Sequence, residues 1–390
     1  MNYICAIQIM IVITVCYKYK VYHQNRNHEV RLSEYLRTAS WIYNHCIALQ
    51  KRYYKLYKKH IGLYKLQAHI VTMKKRCYPK WSEINSQSIQ QITERIHEGY
   101  KRFFNHDAKH PPTFKSWSKY KSVTFKSTGY TINGNVLTIN KQKLRLKFHQ
   151  SRPITGKVQT VCLKRDSVGD WWVTFTCRID EQQIKVKTMT GKTAGFDFGL
   201  KHFLTSSDGV YIESPLVLFH SLEGVRKKSR NLSRKQKGSN SRKKARLEIA
   251  RLHRNISNRR TDFHWQLANH LVSQYDIICL ETLNLNEMKK RWGRKISDLS
   301  FSEFIKILSH TCTKYGKKLV MINQWEATSK TCYCCGTKVD EMPLNVRKWV
   351  CPACETSHDR DVNAAKNILR VGTSTLGIDD VRPAKQAIIA

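Results

Sequence analysis

Acidic side chains are scarce in this sequence. Asp and Glu number 29 in 390 residues against 69 Lys and Arg, a formal net charge of +40. Self-repulsion on that scale argues against an isolated globular domain, and nucleic acid is the polyanion that would relieve it. The excess suits a long footprint on phosphate backbone better than a single groove contact. Long apolar runs are lacking too. The best, Tyr3 to Tyr17, is interrupted by Gln8 and Thr14 and has no Lys or Arg before it. It is too short for a membrane span and unlike a signal peptide. Its later part, Ile11 to Tyr22, shifts into apolar/basic alternation and predicts a strand. A start at Met10 would keep that strand and drop the leader. A disulfide framework is also excluded, because five of the 13 cysteines crowd into 332–354 and the rest are scattered. That is a metal pattern in a reducing compartment.

A chain of this length has room for two or three domains. Between Val30 and His106 only Gly62, Pro79 and Gly99 interrupt a helical pattern. Apolar residues recur at three and four (Leu32, Leu36, Ala39, Ile42, Tyr43, Cys46, Leu49), and Ile89, Ile92, Ile96, Tyr100 and Phe103 form a second stripe. Short strands follow, at Val123–Ser127, Val136–Ile139, Leu144–Phe148, Val161–Lys164 and Trp171–Ile179, with Asn133-Gly134 as a hairpin turn. With the N-terminal strand they predict a small β-barrel or sandwich into which the helices are inserted. The segments are 1–29 (first barrel strand), 30–110 (helical) and 111–190 (remainder of the barrel).

From residue 191 the order changes to α/β. Ala194–Gly199, His202–Ser206 and Val210–Glu213 read as an antiparallel meander. A long basic helix, a buried strand at Asp276–Glu281, a helix near Phe301–Tyr315 and a strand at Lys318–Trp325 follow. That is the order of a ribonuclease H-like fold, which sets the first and fourth strands side by side and so Asp197 beside Glu281. Residues 226–260 carry 15 Lys and Arg and one acid, Glu248. Leu247, Ile249, Leu252 and Ile256 predict a packed face there, with the basic face left for a phosphate backbone. The segments are 191–328 (nuclease-like core), 329–358 (metal-binding insert), 359–372 (C-terminal helix of the core) and 373–390 (a tail read as disordered).

Two constellations carry chemistry. Cys332-x-x-Cys335 and Cys351-x-x-Cys354, fifteen residues apart, make a zinc ribbon whose four thiolates leave no open position, so the zinc is structural. Cys334 is a fifth thiol that competes in register. Arg347 and Trp349, on the same insert, suit contact with nucleic acid or packing equally. Three acids form the second constellation: Asp197 between Phe196 and Phe198, Glu281 after Ile278-Cys279-Leu280, and Asp361 at the start of a helix carrying Val362, Ala365, Ile368 and Leu369. Asp359 is the rival for the third place. An ionised carboxylate on a buried strand is costly without a cation, and in so basic a chain the cation-requiring work is cutting a phosphodiester with two divalent metals.

The same residues carry a family resemblance. Gly195-Phe196-Asp197-Phe198-Gly199-Leu200, Ile278-Cys279-Leu280-Glu281-Thr282-Leu283-Asn284-Leu285, Ser329-Lys330-Thr331-Cys332 through Cys335-Gly336, and His358-Asp359-Arg360-Asp361-Val362-Asn363-Ala364-Ala365 together resemble the RuvC-type core of the TnpB (OrfB) transposon-encoded proteins. These are RNA-guided DNA endonucleases related to type V CRISPR effectors. Weaker similarity at Tyr19–Tyr22, Trp41–Asn44 and Pro112–Ser116 extends it over nearly the whole chain. Thr282 departs from the family, which usually has a second acid there. The resemblance implies an N-terminal wedge barrel with an inserted helical recognition bundle, and Asp197, Glu281 and Asp361 as ligands of two catalytic Mg2+ ions. It implies a guide RNA from the transposon end, a DNA target, no membrane, and a prokaryotic cytoplasmic protein that meets the nucleoid on its DNA. It fixes no oligomeric state. An RNA-guided protein that binds without cutting and a strand-transferring transposase are the alternative readings.

Overall fold

The computed structural model describes residues 13–179, 187–343 and 346–377. The apolar leader before Ile13, the Met10 start and residues 378–390 of the tail lie outside them. The chain divides into two compact units, residues 1–183 and 184–390. Among the described residues no helix is long and apolar enough to cross a membrane.

The first unit begins with β1 (Ile13–Lys20), whose alternation buries Val15, Tyr17 and Tyr19 and exposes Cys16 and Lys18. Three helices come before the next strand: α1 (Arg26–Tyr57), α2 (Leu63–Arg76) and α3 (Ser86–Phe104). The Asn25 side chain caps α1 by accepting from the His28 amide. Lys58 ends that helix in the left-handed region, and Gly62 and the turn at Pro79–Glu83 make the other breaks. The expected α1 stripe is buried except for Leu49, which is partly exposed, while Ile47 and Gln50 are buried instead. The Gln50 amide pairs with both the N–H and the C=O of Ile61 and closes the turn into α2. Apolar periodicity does not reveal such a residue.

Among the described residues seven strands belong to this unit, the others being β2 (Ser122–Lys126), β3 (Tyr130–Asn133), β4 (Val136–Ile139), β5 (Leu144–Lys147), β6 (Lys157–Arg165) and β7 (Trp171–Ile179). They are shared between two sheets, β1-β7-β6-β2 and β3-β4-β5. The sheets join at a corner where Val21 pairs with Phe148. Tyr19, Phe148 and Phe175 fill that corner, with ring centroids 5.2–5.9 Å apart.

The second unit is a five-stranded sheet of order β10-β9-β8-β11-β12, formed by β8 (Thr193–Phe198), β9 (His202–Ser206), β10 (Tyr211–Glu213), β11 (Ile277–Glu281) and β12 (Lys318–Ile322). The first and fourth of these, β8 and β11, run parallel side by side, as expected. Between β10 and β11 stand two helices, α4 (Val217–Ser233) and α5 (Asn240–Gln274), where one was expected. Of the expected α5 stripe only Ile256 is buried, because the α4–α5 hairpin covers one narrow line and leaves the other three partly exposed. A further helix not foreseen, α6 (Leu285–Leu299), precedes α7 (Phe301–Lys314). Its start was readable, since Asn284 caps it three residues before Glu287.

Strand alternation assigns each face. Phe196, Phe198, Ile278 and Leu280 point into a core with Leu267, Ala268 and Leu271 of α5 and Phe301, Phe304 and Leu308 of α7. Cys279 and Ile322 turn to the opposite face and pack on Ile368 and Leu369 of α8 (Arg360–Ser374). By period two, Asp197 and Glu281 fall on the α8 face as well. The approach there is close. A methyl group at Gly195 would collide with the Ala365 carbonyl and stand 2.6 Å from the Leu369 amide, and one at Gly372 would stand 2.8 Å from Cys279 Cβ.

Gly195→Ala should therefore destabilise the second unit by about 2–3 kcal/mol through overpacking, read as a lower thermal midpoint. Gly293→Ala, which meets nothing within 4 Å on α6, should leave the midpoint level or raise it. Equal effects at the two positions would disprove the close approach.

Candidate active site and metal centre

The three predicted acids come from three elements. Asp197 lies in β8 and Glu281 ends β11, each one residue beyond the paired Phe196 and Leu280. Asp361 lies in the first turn of α8, where exposed amides favour negative charge. The structure brings them within electrostatic reach. Burial, then the charges of Glu281 and Asp361, push the Asp197 carboxyl well above the usual carboxylate range, against the pull of Arg360. Burial pushes Glu281 up to about 7. Two carboxyls that resist ionisation on one sheet face are an electrostatic debt that a hard cation would cancel.

Asp359, the rival, has another task. It is the N-cap of α8 and accepts from the Asp361 and Val362 amides at 3.0 and 3.1 Å. Arg347 has a partner that the sequence did not indicate: its Nη1 donates to both carboxylate oxygens of Asp361, each at 3.1 Å. Trp349, for its part, packs on His358, with centroids 4.9 Å apart.

Two asparagines escaped the sequence reading. Asn363 and Asn367, one turn apart on α8, donate to the Thr331 carbonyl at 2.8 and 2.7 Å, and Asn367 also reaches the Thr328 carbonyl at 2.9 Å. The Asn363 oxygen accepts from the Tyr333 amide. Their spacing of four beside Ala364 and Ala365 was the available signal: a small face for the sheet and a polar ridge for a neighbouring loop.

That loop opens the metal centre. The sulfurs of Cys332, Cys335, Cys351 and Cys354 lie within 4.8 Å of one another. Cys334 is exposed and outside this set, though it forms a second group with Cys332 and His358. The two knuckles match: Gly336 N donates to Cys332 O and Glu355 N to Cys351 O. Residues 336 and 355 both take positive φ, and Thr337 and Thr356 hydroxyls stand 3.3 and 3.4 Å from the Cys335 and Cys354 sulfurs. The Thr337 hydroxyl and amide hold the Cys335 thiol down at about 6, while burial pushes Cys332 up to about 12. Four converging sulfurs are a donor set that fits a tetrahedral zinc ion. The three carboxylates form no group so tight among the described residues.

Comparison with known proteins places the chain in a family. A family profile described as "Probable transposase" (OrfB_IS605) matches residues 175–291, and one described as "Cas12f1-like, TNB domain" matches 301–368. A Streptomyces pristinaespiralis protein named "Putative RNA-guided DNA endonuclease" is 35% identical over 78% of this chain and 76% of its own length. A protein of the same description from Escherichia coli K12, InsQ, is 25% identical over 92% and 93%. The TnpB-like protein L79 of Acanthamoeba polyphaga mimivirus is 31% identical, over 58% of this chain and 46% of that protein. The chain belongs to the TnpB (OrfB) family. Its fold is that of the protein in "Cryo-EM structure of the Cas12f1-sgRNA-target DNA complex", with a TM-score of 0.57 over 92% of this chain and 98% of that one at 15% identity.

Two measurements check the site. Metal analysis should find one zinc per chain, lost in Cys351→Ser and kept in Cys334→Ser; loss in both would give Cys334 a ligand's place. The second is stability against pH in EDTA. Because the folded Glu281 carboxyl is raised above its unfolded value, its contribution is complete below about pH 4.5 and lost as pH rises through about 7. The thermal midpoint should fall across that window, less so in Glu281→Gln, and a divalent cation should restore it at pH 8. A Glu281→Gln profile as steep as the parent's would refute the assignment.

Proposed function

We propose that this chain is an RNA-guided, Mg2+-dependent endonuclease that hydrolyses DNA phosphodiester bonds, encoded by a transposable element, with the second unit as its ribonuclease H-like (RuvC) core. One observation carries the reading. Three carboxylates from segments far apart in the chain, Asp197, Glu281 and Asp361, converge on one sheet face, and two of them are held against ionisation. We assign these three as ligands of two Mg2+ ions, which when bound would activate a water and stabilise the departing 3′-oxygen. The chain's own part is placement. Two neighbouring parallel strands hold Asp197 and Glu281, the α8 N-terminus holds Asp361, and Arg347 keeps the Asp361 carboxylate in one orientation.

The partners follow from charge and family. Arg226, Lys227, Lys243, Lys244, Arg246 and Arg251 are exposed on the α4–α5 hairpin, a surface suited to phosphate backbone. A guide RNA from the transposon end would supply sequence specificity by base pairing, while the protein reads a short adjacent motif and the heteroduplex shape. Relatives whose names describe RNA-guided endonucleases support that division of labour. The place of work would be the cytoplasm of a prokaryote, on its nucleoid.

The test is cleavage of plasmid DNA carrying a randomised target-adjacent segment, with protein co-purified with RNA from the 3′ flank of its gene. Guide-dependent double-strand cuts should appear with Mg2+ and vanish in EDTA and in Asp197→Ala. RNA and DNA binding without any cutting would favour a binding protein, and joined strands formed without RNA would favour a transposase.

A further inference from the structure

Between Pro111 and Lys121 the chain lies along α1 without forming an element of its own. Three anchors fix it. Pro112 sits so close to Gly99 of α3 that a methyl there would stand 2.7 Å from the proline Cγ. The Asn44 amide clamps Lys115 from both sides, donating to its carbonyl at 2.8 Å and accepting from its N–H at 2.9 Å. Tyr120 is buried with its ring 5.6 Å from that of Tyr43. A segment held this firmly could bury its large rings, yet Phe114 is 52% exposed and Trp117 60%.

Each exposed ring has a cation on it. The Arg37 guanidinium lies 5.1 Å from the Trp117 ring centroid, and the Lys51 ammonium 4.6 Å from that of Phe114. Lys115, between them, turns back over Tyr43 at 5.0 Å. No acid occurs in residues 37–57 or 109–121, so nothing nearby neutralises these charges in sequence. The two cations are fourteen positions apart on α1, about 21 Å along the helix axis. That is a track of positive charge with two aromatic faces in it, each ring preset by backbone contacts.

We infer that Phe114 and Trp117 form a stacking platform for unpaired nucleobases, with Arg37 and Lys51 receiving the adjoining phosphates. Aromatic faces take bases without regard to sequence, and a guanidinium plane over a ring extends the stack. A duplex offers no free base face and would meet only the cations. The inference rests on the nucleic-acid reading above and adds to it the kind of strand this surface takes: single, with its bases turned out.

Affinity measured against salt separates the two roles. Full-length protein is titrated with single-stranded RNA, single-stranded DNA and duplex DNA of one sequence. Phe114→Ala and Trp117→Ala should each weaken single-strand binding about tenfold and leave the slope of log affinity against log salt unchanged. Arg37→Gln and Lys51→Gln should reduce that slope by about one contact each. Phe114→Tyr and Trp117→Tyr should restore binding, which a general folding defect would not allow. Duplex binding should not respond to ring removal. Preference for the RNA strand would identify a guide segment as the occupant, and preference for the DNA strand an unwound target. Single-strand binding at parental affinity in the double alanine variant would overturn the platform and leave the nuclease reading intact. Failure of the parent chain to bind any single strand would count against both.

Discussion

How closely α8 can lie on β8 and β11 governs the whole second unit. Two glycines permit it, Gly195 under the Ala365 carbonyl and Gly372 against Cys279. At Gly195 helix and strand backbones meet directly, at Gly372 the helix backbone rests on the Cys279 side chain, and Ile368 and Leu369 seal the remaining space. The helix then starts over the strand ends, and its first turn delivers Asp361 to the face that already carries Asp197 and Glu281. A single methyl at either contact would have to be accommodated by lifting the helix, and active-site carboxylates tolerate only about half an ångström of misplacement.

The cysteine insert acts on the same helix. It enters after β12 and leaves through β13 (Lys348–Val350) and β14 (Ser357–Asp359), the last residue of which caps α8. Asn363 and Asn367 tie the helix back to the loop carrying Cys332, and the Arg360 amide donates to the Arg347 carbonyl at 2.8 Å. The ribbon therefore braces the end of the helix that bears Asp361. A metal at the four sulfurs would be folding energy for that brace, so the placement of Asp361 would depend on it.

Much of this was legible because the relevant signals are local. Asp197 and Glu281 stand inside apolar runs whose alternation decides their face, and the Cys-x-x-Cys spacing fixes which sulfurs converge. Asp361 was set apart from Asp359 by expecting the helix to start near 361 with 359 in the loop before it; the helix starts at Arg360 and Asp359 caps it. Elements that depend on distant partners were harder to read. The α4–α5 break falls inside a run of Lys and Arg read as one helix, although Gly238-Ser239-Asn240-Ser241 marked it, with Gly238 at positive φ and Ser239 capping α5. Gln50 is polar and buried because Ile61, eleven residues on, needs both its hydrogen bonds met. The Arg347–Asp361 pair forms only once the ribbon has folded, so neither residue's own neighbourhood announces it.

The scarcity of acids gives this arrangement its meaning. Several of the few carboxylates present have structural partners. Asp166 accepts from the amides of Val168, Gly169 and Asp170, and Asp298 accepts from the first amides of α4 at 2.9 and 3.1 Å. Asp276, just before β11, is buried too; burial alone would raise its carboxyl, but Lys317 at 2.5 Å and the amides of Thr190 and Gly191 hold it near 2. Glu281, at the other end of the same five-residue strand, is pushed the opposite way, to about 7. The two ends of this short strand are thus flanked by a carboxylate held ionised and one held against ionisation. Structural acids in this chain are given enough donors to ionise, whereas at Asp197 burial and the neighbouring acids outweigh the Arg360 charge and the Phe198 amide, and at Glu281 burial prevails, so a further positive charge on the α8 face would stabilise both.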